Sequence, residues 1–174
     1  MGDPHSTNLY MLGKGVLSFD RWDDDGLPTG LVDIGNAPDF SMNLEITEKE
    51  HESSRDPAIG TDLTVVLKTK LKGKFTLEEF GEDNLALAMF GTVSGHVVTL
   101  KSVSALRGHL QFIGNPAHGP KWNVQLWKVT LKPSGDLAMI GEDWGKMAFE
   151  FTVEDDTENN PSSPFGTMTE FFDS

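Results

Sequence analysis

Apolar and polar positions alternate strictly over residues 39–47: Phe40, Met42, Leu44 and Ile46 fall on one side, and Ser41, Asn43, Glu45 and Thr47 on the other. A period of two predicts a strand with one buried face. The polar run 48–62, in which only Ala58 and Ile59 are apolar, predicts a long inter-strand loop. Beyond it, Leu63, Val65, Leu67, Leu71, Phe75 and Leu77 on one face, against Thr64, Lys68, Lys70, Lys72, Lys74 and Thr76 mostly on the other, predict a second strand that can pair antiparallel with the first. Glu82, Asp83 and Asn84, the unbroken apolar run 85–90 and then Gly91 predict a short helix with acidic residues at its positive N-terminal end and a glycine stop. A helix apolar on every side cannot leave one face in water. It must lie between the sheet and another subunit or beneath a loop, which makes Leu85, Leu87, Met89 and Phe90 the candidate packing residues.

The remaining pattern is of the same kind. Residues 12–22 predict a strand, Asp23-Asp24-Asp25-Gly26 a turn, and 27–34 a returning strand. Residues 91–101 read as irregular with room for a short strand, 106–113 as a strand ended by Gly114-Asn115-Pro116. Over 122–132, Trp127, Val129 and Leu131 share one face and Lys128, Thr130 and Lys132 the other. The last clear strand turns Met147, Phe149, Phe151 and Val153 inward. Residues 1–8 read as a flexible N-terminus and 154–174 as an acidic, loop-like C-terminal arm from which Phe165, Phe171 and Phe172 can dock on a neighbour. Seven or eight strands and one helix in a single domain spanning 1–174 define a mainly β class, an antiparallel β-sandwich or partial barrel with one short flanking α-helix.

Composition narrows the reading. The chain of 174 residues has no cysteine, which excludes disulfides, thiolate catalysis and Cys-based zinc sites and fits a reducing compartment. No stretch approaches the roughly 18 consecutive apolar residues of a membrane span, and the first residues lack the basic and apolar regions of a secretory signal, so the expectation is a cytoplasmic place of synthesis. Twenty-seven acidic against 14 basic residues give a net charge of −13 and a pI near 4.6. That balance argues against a surface that grips nucleic acid, though a wall that repels phosphate suits a channel through which DNA slides. Lys68, Lys70, Lys72 and Lys74 are the one concentrated basic row, about 6.6 Å apart on a strand. They are either matched by cross-strand acids such as Glu45 and Glu48, or they form a charge-complementary face for an acidic surface on another copy or for passing phosphate.

No constellation carries catalytic chemistry. Asp20, Asp23, Asp24 and Asp25 before Gly26 miss the EF-hand spacing. Glu48 and His51 have a ligand spacing that works on a helix and fails on an extended segment. His109 and His118 lack a third ligand, and Ser53 and Ser54 beside His51 lack an acid or an oxyanion hole. The glycines spell neither a Walker loop nor a dinucleotide fingerprint. The expectation is a protein without a catalytic, cofactor or metal site. Trp22, Trp122, Trp127 and Trp144 leave open a second reading, a monomeric carbohydrate-binding module with a stacking platform.

The central stretch also carries a resemblance. The turn Gly35-Asn36-Ala37-Pro38 into an alternating strand, Glu50-His51 with Ser53-Ser54-Arg55, a second strand ending in Phe75-Thr76-Leu77-Glu78-Glu79, and residues 82–91 around Asn84-Leu85-Ala86-Leu87 together resemble the tail tube proteins of long-tailed bacteriophages. Their fold is shared with type VI secretion tubes and related contractile systems. The resemblance covers roughly half the chain and rests on the order and spacing of these elements. It implies hexameric rings whose strands complete a barrel on hexamerisation and stack into a hollow tube, a conduit for genome delivery in a virion tail assembled in the bacterial host cytoplasm. It further implies a tape-measure protein and double-stranded DNA in the lumen, without sequence-specific binding, and tail terminator and baseplate or tip proteins at the ends. The loop at 48–62, with Glu48, Glu50, His51, Glu52, Arg55, Asp56 and Asp62, resembles the segment that reaches the adjacent ring, where charge pairing sets the register.

Overall fold

The computed structural model describes residues 6–55 and 60–172. Its strands are β1 (Gly15–Arg21), β2 (Val32–Asp33), β3 (Asp39–Glu52), β4 (Thr61–Leu77), β5 (Thr92–Ser94), β6 (Val97–Thr99), β7 (Leu106–Gly114), β8 (Lys121–Ser134), β9 (Met147–Val153) and β10 (Gly166–Phe171), with one α-helix, α1 (Glu82–Ala88). The large sheet runs β2-β1-β7-β8-β9-β4-β3, with every pairing antiparallel. Strand β8 organises it. One edge of β8 pairs with β7 along its length, while the other is shared, residues 121–126 taking β10 and 129–134 taking β9. The sheet curls over its own apolar face, so that Phe40 on β3 stacks on Phe112 of β7 at 5.2 Å and on Phe151 of β9 at 5.9 Å. The result is a mainly β, antiparallel partial barrel that does not close within one chain.

Period-two patterning accounts for the core. Phe75 and Leu77 of β4, Phe149 and Phe151 of β9, Leu106 and Leu110 of β7, Val129 and Leu131 of β8 and Leu17 of β1 are buried in one cluster. Gly73 lies opposite Phe151 in the ladder, and a Cβ there would collide with the Phe151 ring and the Ser41 carbonyl. Because the second obstacle is backbone, Gly73→Ala is expected to lose about 1–3 kcal/mol, read as a lowered midpoint in urea unfolding.

Helix α1 sits where its acidic first turn predicts. The Asn84 amide is buried and donates to the carbonyls of Ile34 and Glu79, both at 2.9 Å, pinning the helix to the end of β2 and to the segment after β4. The stop is not the glycine itself: Phe90 takes the left-handed conformation (φ 51) and the Gly91 N–H closes on the Ala86 carbonyl at 2.7 Å. Gly91 is required instead for close approach to the Thr99 carbonyl. The segment expected to be irregular, 91–101, forms the β5–β6 hairpin, whose two-residue turn at Gly95 and His96 has positive φ at both positions. That hairpin packs on α1. Leu87 is 5% exposed and joins the core, while Leu85, Met89 and Phe90 are half-buried, so the helix lies beneath its own chain and a sister copy is not needed to cover it.

Five further expectations are corrected. There are ten strands among the described residues. The predicted loop at 48–62 is strand at both its ends, because β3 continues to Glu52 and β4 begins at Thr61; backbone pairing does not require apolar side chains. Asp56 lies outside the described residues. Leu63 and Val65 do not share a face with Leu71 and Phe75, since a bulge in which Leu67 is the extra residue shifts the register between Thr47 and Glu48. A second bulge, between Leu126 and Val129, likewise separates Trp127 from Val129 and Leu131. Finally, the C-terminal arm contains β10, with Phe165 packed against the core and the Trp127 indole N–H donating to the Ser163 carbonyl at 2.8 Å. Of the predicted flexible N-terminus, residues 6–8 are described, and Ser6 caps a short turn over Thr7–Leu9.

Candidate assembly surfaces

The last β4–β9 pair is Leu71 with Val153. Beyond it β3 and β4 leave the body and continue as a two-stranded arm, about 27 Å from Leu44 to Glu52, in which every residue from Asn43 to Glu52 and from Thr61 to Thr69 is exposed and none belongs to the core. An isolated two-stranded ribbon is marginally stable in water, and this one exposes Leu44, Ile46, Leu63, Val65, Val66 and Leu67. β3 is also the margin of the sheet, so its outer backbone edge is a template for a further strand.

The register assigns the arm two different faces. Leu44, Ile46, Glu48 and Glu50 stand with Leu71, Thr69, Val66 and Thr64 on one, while Glu45, Thr47, Lys49 and His51 stand with Lys70, Lys68, Val65 and Leu63 on the other. The residues named for the loop are therefore spread over both faces and do not converge on one site. His51 Nδ1 contacts Asp62 Oδ1 at 2.7 Å, the Thr61 hydroxyl donates to Glu50 Oε2 at 3.3 Å, Glu52 pairs with Thr61 in the ladder, and the Arg55 N–H donates to the Ser53 hydroxyl at 3.4 Å.

The lysine row divides. Lys72 meets Glu45 at 3.0 Å, as cross-strand matching predicts, but Glu48 stands on the opposite face beside Val66. Lys68, and after it Lys72, hold the Lys70 ammonium below the usual lysine range, with Glu45 opposing them. The same face continues across the sheet body: Lys74 is opposite Glu150, which is opposite Lys132, and Lys72 is opposite Thr152, which is opposite Thr130 and then Arg107. Where β9 ends, Glu154 gathers the Thr130 hydroxyl at 2.7 Å, Lys128 at 3.4 Å and Arg107 at 3.7 Å. Burial pushes the Glu154 carboxyl up, but Thr130, Arg107 and Lys128 outweigh it and hold it below the ordinary 4.5. A depressed carboxylate contributes stability that is present above its unfolded pKa and lost as pH falls through the folded value. Glu154→Gln is therefore expected to flatten the loss of stability on acidification below about pH 4.5, checked by thermal melts at pH 7 and pH 3.5.

At the opposite end of the sheet, the β8–β9 connection (residues 135–146) leaves Met139, Ile140 and Trp144 exposed to 73%, 95% and 90%. It borders a cavity of about 1030 Å³ with Phe80 and Glu78 in its wall. The concentration of Met139, Ile140 and Trp144 between Gly135 and Gly145 is the signal this surface leaves in the sequence.

The sites weighed for other chemistry resolve as structure. Asp20 Oδ1 accepts from the Thr29 and Gly30 N–H groups, and Asp23 Oδ1 from those of Asp25 and Leu27, so the acidic run shapes a turn. Among the described residues no group of three or more His, Asp or Glu side chains is placed to hold a metal ion. His109 is lowered by burial, with Asp20 opposing, and packs on Trp127 at 5.6 Å. His118 contacts the Thr7 carbonyl at 2.9 Å. Trp22 and Trp144 line different cavities, Trp122 stands opposite Glu170 in the β8–β10 ladder, and Trp127 lies half-buried beside Ser163. No helix among the described residues is long and apolar enough to cross a membrane.

An antiparallel partial barrel with a projecting arm and an open margin is a fold with surfaces for association. The chain belongs to the family described as Protein of unknown function UCP028589, whose model matches residues 10–111. No curated protein matches it. Among solved structures it is similar to a chain of the anti-feeding prophage (AFP) baseplate, determined by cryo-EM with 6-fold symmetry imposed, at TM-score 0.51 and 13% identity over 97% of each chain. At that identity the likeness is one of fold.

Proposed function

We propose that the protein is a structural subunit of a phage-tail-like particle, self-assembling into stacked hexameric rings that form a tail tube, a non-enzymatic conduit for genome delivery. The observation that carries this reading is the β3–β4 arm, which exposes six large aliphatic residues on a ribbon without support from the body of the chain. A monomer gains nothing from such a feature, whereas a repeating assembly buries it. The match to a baseplate chain over nearly its whole length supports the same reading. In a ring, the β3 margin of one copy meets a neighbour and six curled sheets complete a barrel. The acidic excess of the chain suits a wall past which DNA and a tape-measure protein move without adhering, and terminator and baseplate proteins close the ends.

Size-exclusion chromatography with negative-stain imaging of the purified chain, at rising concentration and with preformed particle ends as initiators, tests the proposal. Rings or tubes are the expected result. A monomer under every condition overturns it, and tryptophan fluorescence quenched by sugars would then favour the carbohydrate-binding reading. A secretion-type tube differs in cargo, so particles isolated with protein and no DNA in the lumen would favour that variant.

A further inference from the structure

The arm and the β8–β9 connection lie at opposite ends of the same strands. β4 runs from the arm to Leu77, and β9 begins opposite Leu77 at Met147 and ends opposite Leu71 at Val153, where the arm departs. Copies placed head to tail along the strand direction therefore bring the arm of one to the 135–146 connection of the next. The two surfaces are also complementary in chemistry. One arm face combines the aliphatic Leu63 and Val65 with Lys49, Lys68 and Lys70, opposed by Glu45 and, towards the tip, by Asp62, whose carboxylate is engaged with His51. The 135–146 connection combines the exposed Met139, Ile140 and Trp144 with Asp136, Glu142 and Asp143.

We infer that the lysine-bearing face of the arm docks on residues 135–146 of a second copy of this chain, with Ile140 and Trp144 as apolar anchors against Leu63 and Val65 and the three acids facing the three lysines. The inference rests on the proposed self-assembly and adds to it the contact by which successive copies engage. Two exposed apolar patches of this kind bury each other, and the large, nearly fully exposed Trp144 is the residue type that anchors interfaces. The opposed charges select this face over the other side of the arm, where Glu48 and Glu50 would meet Glu142 and Asp143. The mutual repulsion of Lys68 and Lys70 is relieved when carboxylates arrive. The contact is heterologous, so each copy offers both halves and the array continues.

The natural absence of cysteine makes a direct test possible. The doubly substituted chain Val65→Cys/Ile140→Cys, oxidised mildly under assembling conditions, is expected to give a ladder of covalent multimers on a non-reducing gel. Val66→Cys/Ile140→Cys, on the opposite arm face, is expected to give none, because a disulfide needs Cα atoms within about 7 Å. In parallel, Lys68→Glu/Lys70→Glu and Glu142→Lys/Asp143→Lys are each expected to raise the concentration needed for assembly by at least about tenfold, and their combination in one chain to restore it. If the wild-type chain forms tubes but Val65→Cys/Ile140→Cys gives no ladder, or the combined charge swap fails to restore assembly, this contact is wrong while the proposed function stands. If the wild-type chain forms neither rings nor tubes, both are overturned.

Discussion

Excising residues 45–70 and joining Leu44 to Leu71 through an Asn-Gly turn is expected to leave a folded monomer that no longer forms rings or tubes. Leu44 and Leu71 are already opposite one another in the ladder, so the shortened hairpin ends on an existing pair and a tight turn can close it. The arm contributes no residue to the buried core, so its removal costs the body no buried contact. Thermal unfolding should keep its midpoint within about 3 °C, roughly 1 kcal/mol for a domain of this size. Assembly, in contrast, should be lost outright, because the excision removes most of the β3 margin together with both arm faces. A smaller deletion, residues 52–60, removes the tip and spares Lys49, Val65, Lys68 and Lys70. It is expected to weaken assembly where the full excision abolishes it. Negative-stain imaging of both variants beside wild type decides the matter, and tubes from the fully excised chain would show that the arm is ornament.

Leu87→Asp is expected to fail at folding, ahead of any effect on assembly. Leu87 is 5% exposed within a single chain and belongs to the main core cluster, while Asn84 fixes the helix so that it cannot turn to bring a new carboxylate to water. Loss of the leucine contacts together with an unpaired buried carboxylate exceeds about 4 kcal/mol, against a total stability of roughly 5–15 kcal/mol for a domain. Leu85→Asp at a half-buried position on the same helix is the informative companion, expected to stay folded with a lowered melting point. Circular dichroism and soluble yield measure both. Were Leu87→Asp to fold normally and fail only in ring formation, the helix would be an interface element after all.

How much of this was legible depends on which physical signal each element carries. The strands at Leu106–Gly114 and Met147–Val153 stand in the core with clean alternation, and their boundaries fall within a residue or two of the pattern. Helix α1 announced itself through Glu82 and Asp83 ahead of an apolar run. The arm was hidden for the opposite reason. Its strands are exposed on both faces, so burial imprints no alternation on Glu48, Lys49, Glu50, His51 and Glu52, and polarity there reads as loop. The three register shifts, two in the β3–β4 pairing and one in the β7–β8 pairing, were invisible because a single extra residue, Leu67 in one case, breaks phase without changing composition. Strand β10 escaped because Gly166–Phe171 has its register set by β8 and by the Trp127–Ser163 hydrogen bond, which are remote in the chain. The 135–146 surface carried a signal in its three large apolar residues, but nothing local distinguishes an exposed anchor from a core residue approached by a turn.

The bulge at Leu67 constrains how the arm can vary. Because one extra residue on β4 decides which side chains beyond it stand with Lys49 and which with Glu48, pairing Leu67 with Glu48 instead of bulging it out would keep the whole sequence and yet exchange Val65 and Leu63 for Val66 and Thr64 beside the lysines. Length changes that respect the pairing must therefore come as matched insertions or deletions on both strands, two residues at a time on each. Relatives built on this plan should differ in reach by whole pleats, and a grafted arm should work only when it is transplanted with its phase intact.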